Sequence, residues 1–209
     1  MNVIEAIKER RSIRYFKEKV PEEIIKKIIE AGTWAPSACN RQDWKFIIIE
    51  DESVRKEIIQ EGTAFFVDKA PNWILIIYNN QTDNTEYQDH IQSATACIQN
   101  MQLAAHAYGY GSCCINNLPP KEKLRKILNI PTSYEPISLL VLGKPNTTPK
   151  PLPRKENFIT YNKFDFKEEK TIIKKHIIRK FFRKTYKKLP KRIKIILDPL
   201  ARKFEKRFD

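Results

Sequence analysis

Residues 72–78 read NWILIIY, an almost unbroken apolar run that is short and rich in β-branched side chains. A strand sends alternate side chains to opposite faces, so a run with almost no polar position has to be covered on both sides. Residues 44–50, WKFIIIE, have the same character, and further strands are predicted at 112–115 and 136–142. Between these runs the apolar spacing changes to that of helices. The combination predicts an α+β body, a central sheet flanked by helices.

The helices carry their own signals. Asn2 and Glu5 form a capping-box pattern ahead of Val3, Ile4 and Ile7, so a short helix starts the chain and delivers Arg10 at its end. Pro21 suits a first helical position and Glu22 and Glu23 suit the positive end of the helix dipole. Ile24, Ile25, Ile28 and Ile29 then make an apolar face, with Gly32 placed to close that helix. Further helices are predicted at 52–61, 86–108 and 120–128, the long one with a small-residue stripe through Ala94, Cys97, Ala104 and Ala105 that permits close backbone approach.

Charge divides the chain. Residues 1–150 hold 19 Lys and Arg against 18 Asp and Glu, whereas residues 151–209 hold 20 against 7, so nearly all of the formal charge of +14 lies in the tail. The two expected parts are a body over 1–157 and a basic C-terminal extension over 158–209. Pro145, Pro149, Pro151 and Pro153 make an extended arm between regular structure and extension. The extension holds two basic amphipathic segments, through Ile172, Ile177, Phe181 and Tyr186 and then through Ile193, Ile196, Leu197, Leu200 and Phe204. Such a tail either binds an anionic bilayer surface or lays its apolar face on a partner subunit. Nucleic acid ranks below both, because no recognised nucleic-acid module is present.

Cys39, Cys97, Cys113 and Cys114 show neither metal-ligand nor disulfide-framework spacing, and His90, His106 and His176 are scattered, so no metal is expected. There is no apolar leader and no spanning stretch, which predicts a cytoplasmic protein with reduced thiols, peripheral at the inner face of the membrane if the tail binds lipid.

Two clusters are candidates for chemistry. Arg10, Ser12 and Arg14 are spaced by two, so an extended backbone turns all three side chains to one side, a cradle for a phosphate monoester or simply a solvated basic run. The second cluster, APSACNRQDW over 35–44, is a polar loop ahead of a strand. It either presents Ser37, Asn40 and Gln42 to the edge of a planar heteroaromatic ring or is a capped turn. Trp34 and Trp44 flank it and are expected in the core, with Cys39 as a small buried thiol.

Taken together, RRSIRYF followed by APSACNRQDWKFIII resembles the N-terminal half of the FMN-dependent nitroreductases. AYGYGSCCI, LNIP with ISLLVLGKP, and KPLPRK resemble that family's long helix exit, last core strand and returning arm. The resemblance covers residues 3–157 and implies a mostly antiparallel sheet flanked by helices in an intertwined homodimer. It implies that FMN phosphate is held by Arg10, Ser12, Arg14 and Arg154, with Arg11 adjacent. Ser37, Asn40 and Gln42 would face the flavin in a loop shaped by Pro36, largely across the subunit interface. Ile115 and Asn116 occupy the stretch whose backbone approaches the reactive ring edge, and Asn116-Asn117 stands where the family commonly has Gly, a turn that Asn would keep by tolerating left-handed geometry.

The implied activity is ping-pong hydride transfer from NADH or NADPH through FMN to a nitroaromatic, a quinone or an unsaturated biosynthetic intermediate, with no catalytic side chain needed. One alternative keeps FMN but replaces nicotinamide-driven reduction with dehydrogenation or flavin-consuming chemistry. Another is a protein whose flavin site has decayed and which acts through its basic tail on a membrane or nucleic acid.

Overall fold

In the computed structural model the described residues are 1–64, 66–154, 156, 159–163 and the single positions 186, 189, 190, 193, 196, 197, 199 and 200. Most of the proposed tail segments therefore lie outside the described residues. The chain divides into two compact units, Met1–Pro151 and Leu152–Asp209.

The first unit holds five helices, α1 (Val3–Glu9), α2 (Glu22–Thr33), α3 (Glu52–Gly62), α4 (Asp89–Ala107) and α5 (Lys121–Leu128), and four strands. The strands are β1 (Trp44–Ile48), β2 (Asn72–Asn79), β3 (Gly111–Ile115) and β4 (Tyr134–Gly143), ordered β1-β2-β4-β3 with every neighbouring pair antiparallel. β2 and β4 are central, and their pairing shifts register once, between Ile76 and Ile77.

Alternation along β2 builds two cores. Ile74, Ile76 and Tyr78 join Leu140 and Leu142 of β4 and pack with Ile28 of α2 and Cys97 and Met101 of α4. Trp73, Leu75 and Ile77 face the other way, with Leu139 and Val141, onto Ile58 of α3 and Leu124 of α5. At about 25 cal/mol per Å2 of apolar surface removed from water, this doubly covered sheet is the main source of stability.

Local chemistry explains several element ends. Both capping-box hydrogen bonds at the start of α1 are made, from Glu5 N to Asn2 Oδ1 at 2.9 Å and from Asn2 N to Glu5 Oε2 at 3.0 Å. Pro21 is the N-cap of α2, ahead of Glu22 and Glu23. Asp51 caps α3 by accepting from Ser53 N and Val54 N.

Three expectations need correction here. Gly32 does not end α2 but lies within it, where a Cβ would stand 2.6 Å from Met101 Cγ and 2.9 Å from Cys97 Sγ. Its role is close helix contact, and burial pushes the Cys97 thiol beside it up to about 12. β1 is an edge strand whose run is covered only in part: Trp44 and Phe46 pack against one core and Ile47 and Ile49 against the other, but Lys45 and Ile48 are exposed. The long helix starts at Asp89 rather than Glu86, after Gln88 in left-handed geometry.

A polar cluster joins α4, β4 and α5, with His90 buried, Glu135 half-buried and Lys121 exposed. His90 Nε2 lies 3.5 Å from Glu135 Oε2, and Lys121 Nζ hydrogen-bonds Glu135 Oε1. Burial alone would raise the Glu135 carboxyl, but the Lys121 hydrogen bond and charge, with His90, outweigh it and hold the group below its ordinary value. All four cysteines are free thiols, and no helix of the described residues is long and apolar enough to cross a membrane.

Candidate functional site

The segment after α1 runs extended along the β3 edge of the sheet. Ser12 forms a parallel bridge with Ser112, Ile13 N donates to Ser112 O at 2.9 Å, and Phe16 bridges Pro145. Further on, Asn146 N donates to Tyr15 O at 3.0 Å and Lys17 N to Lys144 O at 2.9 Å. Ile13 is buried, and it packs where Gly111 leaves room, since a Cβ on Gly111 would stand 2.6–2.9 Å from three Ile13 side-chain carbons. With Ile13 turned into the core, backbone alternation puts Ser12 and Arg14 on the opposite side of the segment. Arg10, the C-cap of α1, enters it in extended geometry.

The three cationic residues are used differently. Arg11 Nη1 donates to Lys8 O at 2.6 Å and to Arg10 O at 2.8 Å, so its guanidinium turns back on the carbonyl end of α1. Arg14 lies over the Phe66 ring, 5.8 Å from its centre. Phe66 was not among the residues expected at the site, and nothing in the sequence of its connection marks it. Arg10 and Arg14 are half-buried and flank Ser12 on one short length of chain, a donor set that fits a phosphate dianion.

The loop between α2 and β1 is tightly wound. After Pro36, a short 3-10 turn over Ala38–Asn40 contains Cys39 at φ 50°, and Asn40 and Gln42 follow at φ 54° and 53°. Three non-glycine residues in left-handed geometry within four positions cost energy that other contacts must offset. Ser37 Oγ accepts from Gln42 N at 3.1 Å, Gln42 Nε2 donates to Asn40 Oδ1 at 2.8 Å, and Ala38 N donates to Ser93 Oγ of α4 at 3.0 Å. The Arg41–Asp43 ion pair, 3.0 Å, closes the far side.

This loop turns outward. Asn40 and Gln42 are exposed, and so is Cys39, against the expectation of a small buried thiol. Trp34, the C-cap of α2, is 81% exposed rather than in the core, the buried positions at this helix end being taken by Gly32 and Ala35, whereas Trp44 is buried and meets Tyr78 edge-on. At the other candidate stretch, Ile115 ends β3 inside the core and its carbonyl accepts from Ser138 Oγ at 3.1 Å. Asn116 is exposed, and neither it nor Asn117 has a positive φ, so left-handed geometry is not what Asn supplies in place of Gly. Beside it, burial raises the Cys114 thiol and a 2.8 Å hydrogen bond with Ser138 partly opposes that. Arg154 belongs to the second unit and is exposed.

A model of the Nitroreductase family matches residues 7–61 and 54–144. The chain belongs to the nitroreductase family. The matched region includes the extended Arg10–Arg14 segment, the left-handed loop and all four strands. A relative from Methanothermobacter thermautotrophicus, named as a putative NADH dehydrogenase/NAD(P)H nitroreductase, is 32% identical over 154 residues, 71% of this chain and 80% of its own. An NADPH-dependent oxidoreductase of Staphylococcus saprophyticus is 27% identical over 187 residues, 78% of this chain and 74% of its own. Among solved structures, an FMN-dependent nitroreductase from Clostridium difficile superposes with a TM-score of 0.66 at 28% identity, over 78% of this chain and all of that one.

Proposed function

We propose that this nitroreductase-family protein is a homodimeric FMN-dependent oxidoreductase that passes reducing equivalents from NADH or NADPH to a small organic acceptor. The observation that carries it is the extended segment in which Ile13 faces the core and Ser12 and Arg14 face away, with Arg10 leading in. Two guanidinium groups and a hydroxyl on one rigid edge match the terminal phosphate of FMN in charge and in donor number. The named relatives support the same cofactor and donors.

The residues then have separate tasks. Arg10 and Arg14 would neutralise the phosphate and Ser12 would donate to it, while Arg11 stiffens the turn that presents Arg10. In the loop shaped by Pro36, the Gln42-to-Asn40 hydrogen bond leaves the Asn40 amide hydrogens and the Gln42 carbonyl as a donor and acceptor pair for a ring edge. The Ser37 oxygen already accepts from Gln42 N, so its hydroxyl hydrogen remains to be donated. The backbone at Ile115 and Asn116 would approach the reactive edge, and the exposed Asn116 side chain would narrow access relative to Gly. When bound, FMN supplies hydride acceptance from the nicotinamide and hydride donation to the acceptor in two successive half-reactions.

A second copy is needed because the ring-facing loop points out of its own subunit. Val3, Ile4 and Ile7 of α1 and Trp34 at the end of α2 are large apolar residues left exposed in a single chain, as a dimer interface requires. Four free thiols suit a reducing, cytoplasmic compartment. The acceptor class is a nitroaromatic, a quinone or an unsaturated biosynthetic intermediate.

The test is the visible spectrum of the purified protein before and after anaerobic NADH and NADPH, with identification of the released chromophore. A yellow protein that releases FMN and bleaches with either nicotinamide is expected. A protein that stays colourless after incubation with FMN overturns the cofactor assignment. One that binds FMN but is not reduced by either nicotinamide overturns the donor assignment.

A further inference from the structure

Between Lys170 and Leu197 there are 12 Lys and Arg and no Asp or Glu. Within and just beyond that stretch, Ile193, Ile196, Leu197 and Leu200 are helical, at the spacing that puts them on one face. Ile193, Ile196 and Leu200 on that face are 42, 73 and 63% exposed. An aliphatic row open to water, in a sequence that also holds Lys191, Arg192, Lys194, Arg202 and Lys203, needs an occupant that is both negatively charged and apolar just beneath its charge.

We infer that the exposed row of Ile193, Ile196 and Leu200 docks on an anionic phospholipid bilayer surface, the row entering the acyl boundary and the positive charge of the surrounding sequence supplying the attraction to headgroup phosphates. Charge complementarity decides among occupants. A second copy of the body offers no net counter-charge, since residues 1–150 carry 19 basic and 18 acidic side chains. Nucleic acid supplies the phosphates but leaves the aliphatic row in water. An anionic bilayer satisfies both.

The test is co-sedimentation of the purified full-length protein with phosphatidylcholine vesicles, with and without phosphatidylglycerol, at low and high salt. Wild type is expected to sediment only with the anionic vesicles and to be released by salt. Neutralising Lys191, Arg192 and Lys194 together should weaken binding roughly a hundredfold, each basic residue near the surface contributing about 1 kcal/mol. The Ile193→Glu, Ile196→Glu double variant should lose binding as well, although it alters only exposed side chains. Undiminished vesicle binding by that double variant would mean electrostatic adsorption alone and overturn the inference. So would absence of vesicle binding, with or without retardation of a nucleic acid duplex in a gel. Because the readout is sedimentation and not turnover, its failure leaves the flavin assignment untouched, and the reverse holds too.

Discussion

Gly111→Ala tests whether the sheet edge positions the phosphate-facing segment. An added Cβ would lie 2.6, 2.8 and 2.9 Å from Ile13 Cγ1, Cβ and Cγ2, and Ile13 is buried and branched, so it has little rotameric escape. Restoring ordinary contact moves Ile13 by roughly 1 Å, which stretches the 2.9 Å hydrogen bond from Ile13 N to Ser112 O beyond bonding distance. Overpacking costs about 1–3 kcal/mol and the lost hydrogen bond about 0.5–1.5, while replacing a strand glycine returns about 0.5–1. The net of about 2 kcal/mol corresponds to a Tm lowered by roughly 4–8 °C for a unit of this size.

Since Ser12 and Arg14 flank Ile13, the same shift should weaken FMN binding by about tenfold or more, the loss of one charge-assisted hydrogen bond being worth about 1.5–3 kcal/mol. Thermal unfolding and flavin titration of wild type, Gly111→Ala and Gly111→Ala with Ile13→Ala read the two effects. The double variant, lacking Cγ1 and Cγ2, should regain part of the affinity lost in the single one. A fall in Tm with unchanged FMN affinity would refute the positioning role of this contact, and an unchanged Tm would refute the packing estimate itself.

Arg14→Glu should weaken FMN binding by at least a hundredfold, because it removes a phosphate partner and puts a like charge beside a dianion; unaltered flavin fluorescence titrations would take Arg14 out of the site. Lys121→Met should flatten the acid limb of stability. The Glu135 carboxyl is lowered in the folded protein, so its contribution is present above the ordinary carboxylate range and is lost as pH falls through the lowered value. Urea midpoints between acid and neutral pH should therefore change less steeply in the variant, and parallel curves would show that Lys121 is not the cause. Cys39→Gly should leave stability equal or higher and Cys39→Val should lower it by about 1–2 kcal/mol, because position 39 sits at φ 50°; equal unfolding midpoints for the two would argue against strain in the loop.

Much of the fold was legible because its signals are local. The Asn2–Glu5 box, Pro21 ahead of its acidic pair and the runs around Trp73 and Leu140 each state an element within a few residues. What was missed depends on neighbours distant in sequence. Residues 44–50 look like a fully covered strand, but β1 lies on the edge of the order β1-β2-β4-β3 and leaves Lys45 and Ile48 exposed. Gly32 reads as a helix stop until Met101 is seen against it, and Trp34 reads as core until Gly32 and Ala35 are seen to take the buried positions beside it. In the site, spacing alone suggested one side for Arg10, Ser12 and Arg14. The ring of Phe66 under Arg14, the diversion of Arg11 and the left-handed backbone at Cys39 and Gln42 left no mark that spacing could show.

The parallel bridge of Ser12 with Ser112 has a meaning for solubility as well as for binding. β3 is an outer strand, and an outer strand with free amides and carbonyls is a template on which other chains can add. The segment that carries the phosphate-facing side chains also shields that template, so any change that loosens it uncovers an adhesive edge. Flavin-poor variants of this segment should therefore be lost to aggregation before they can be scored as merely inactive, and selection for a soluble chain would preserve the binding segment even where turnover is not under test.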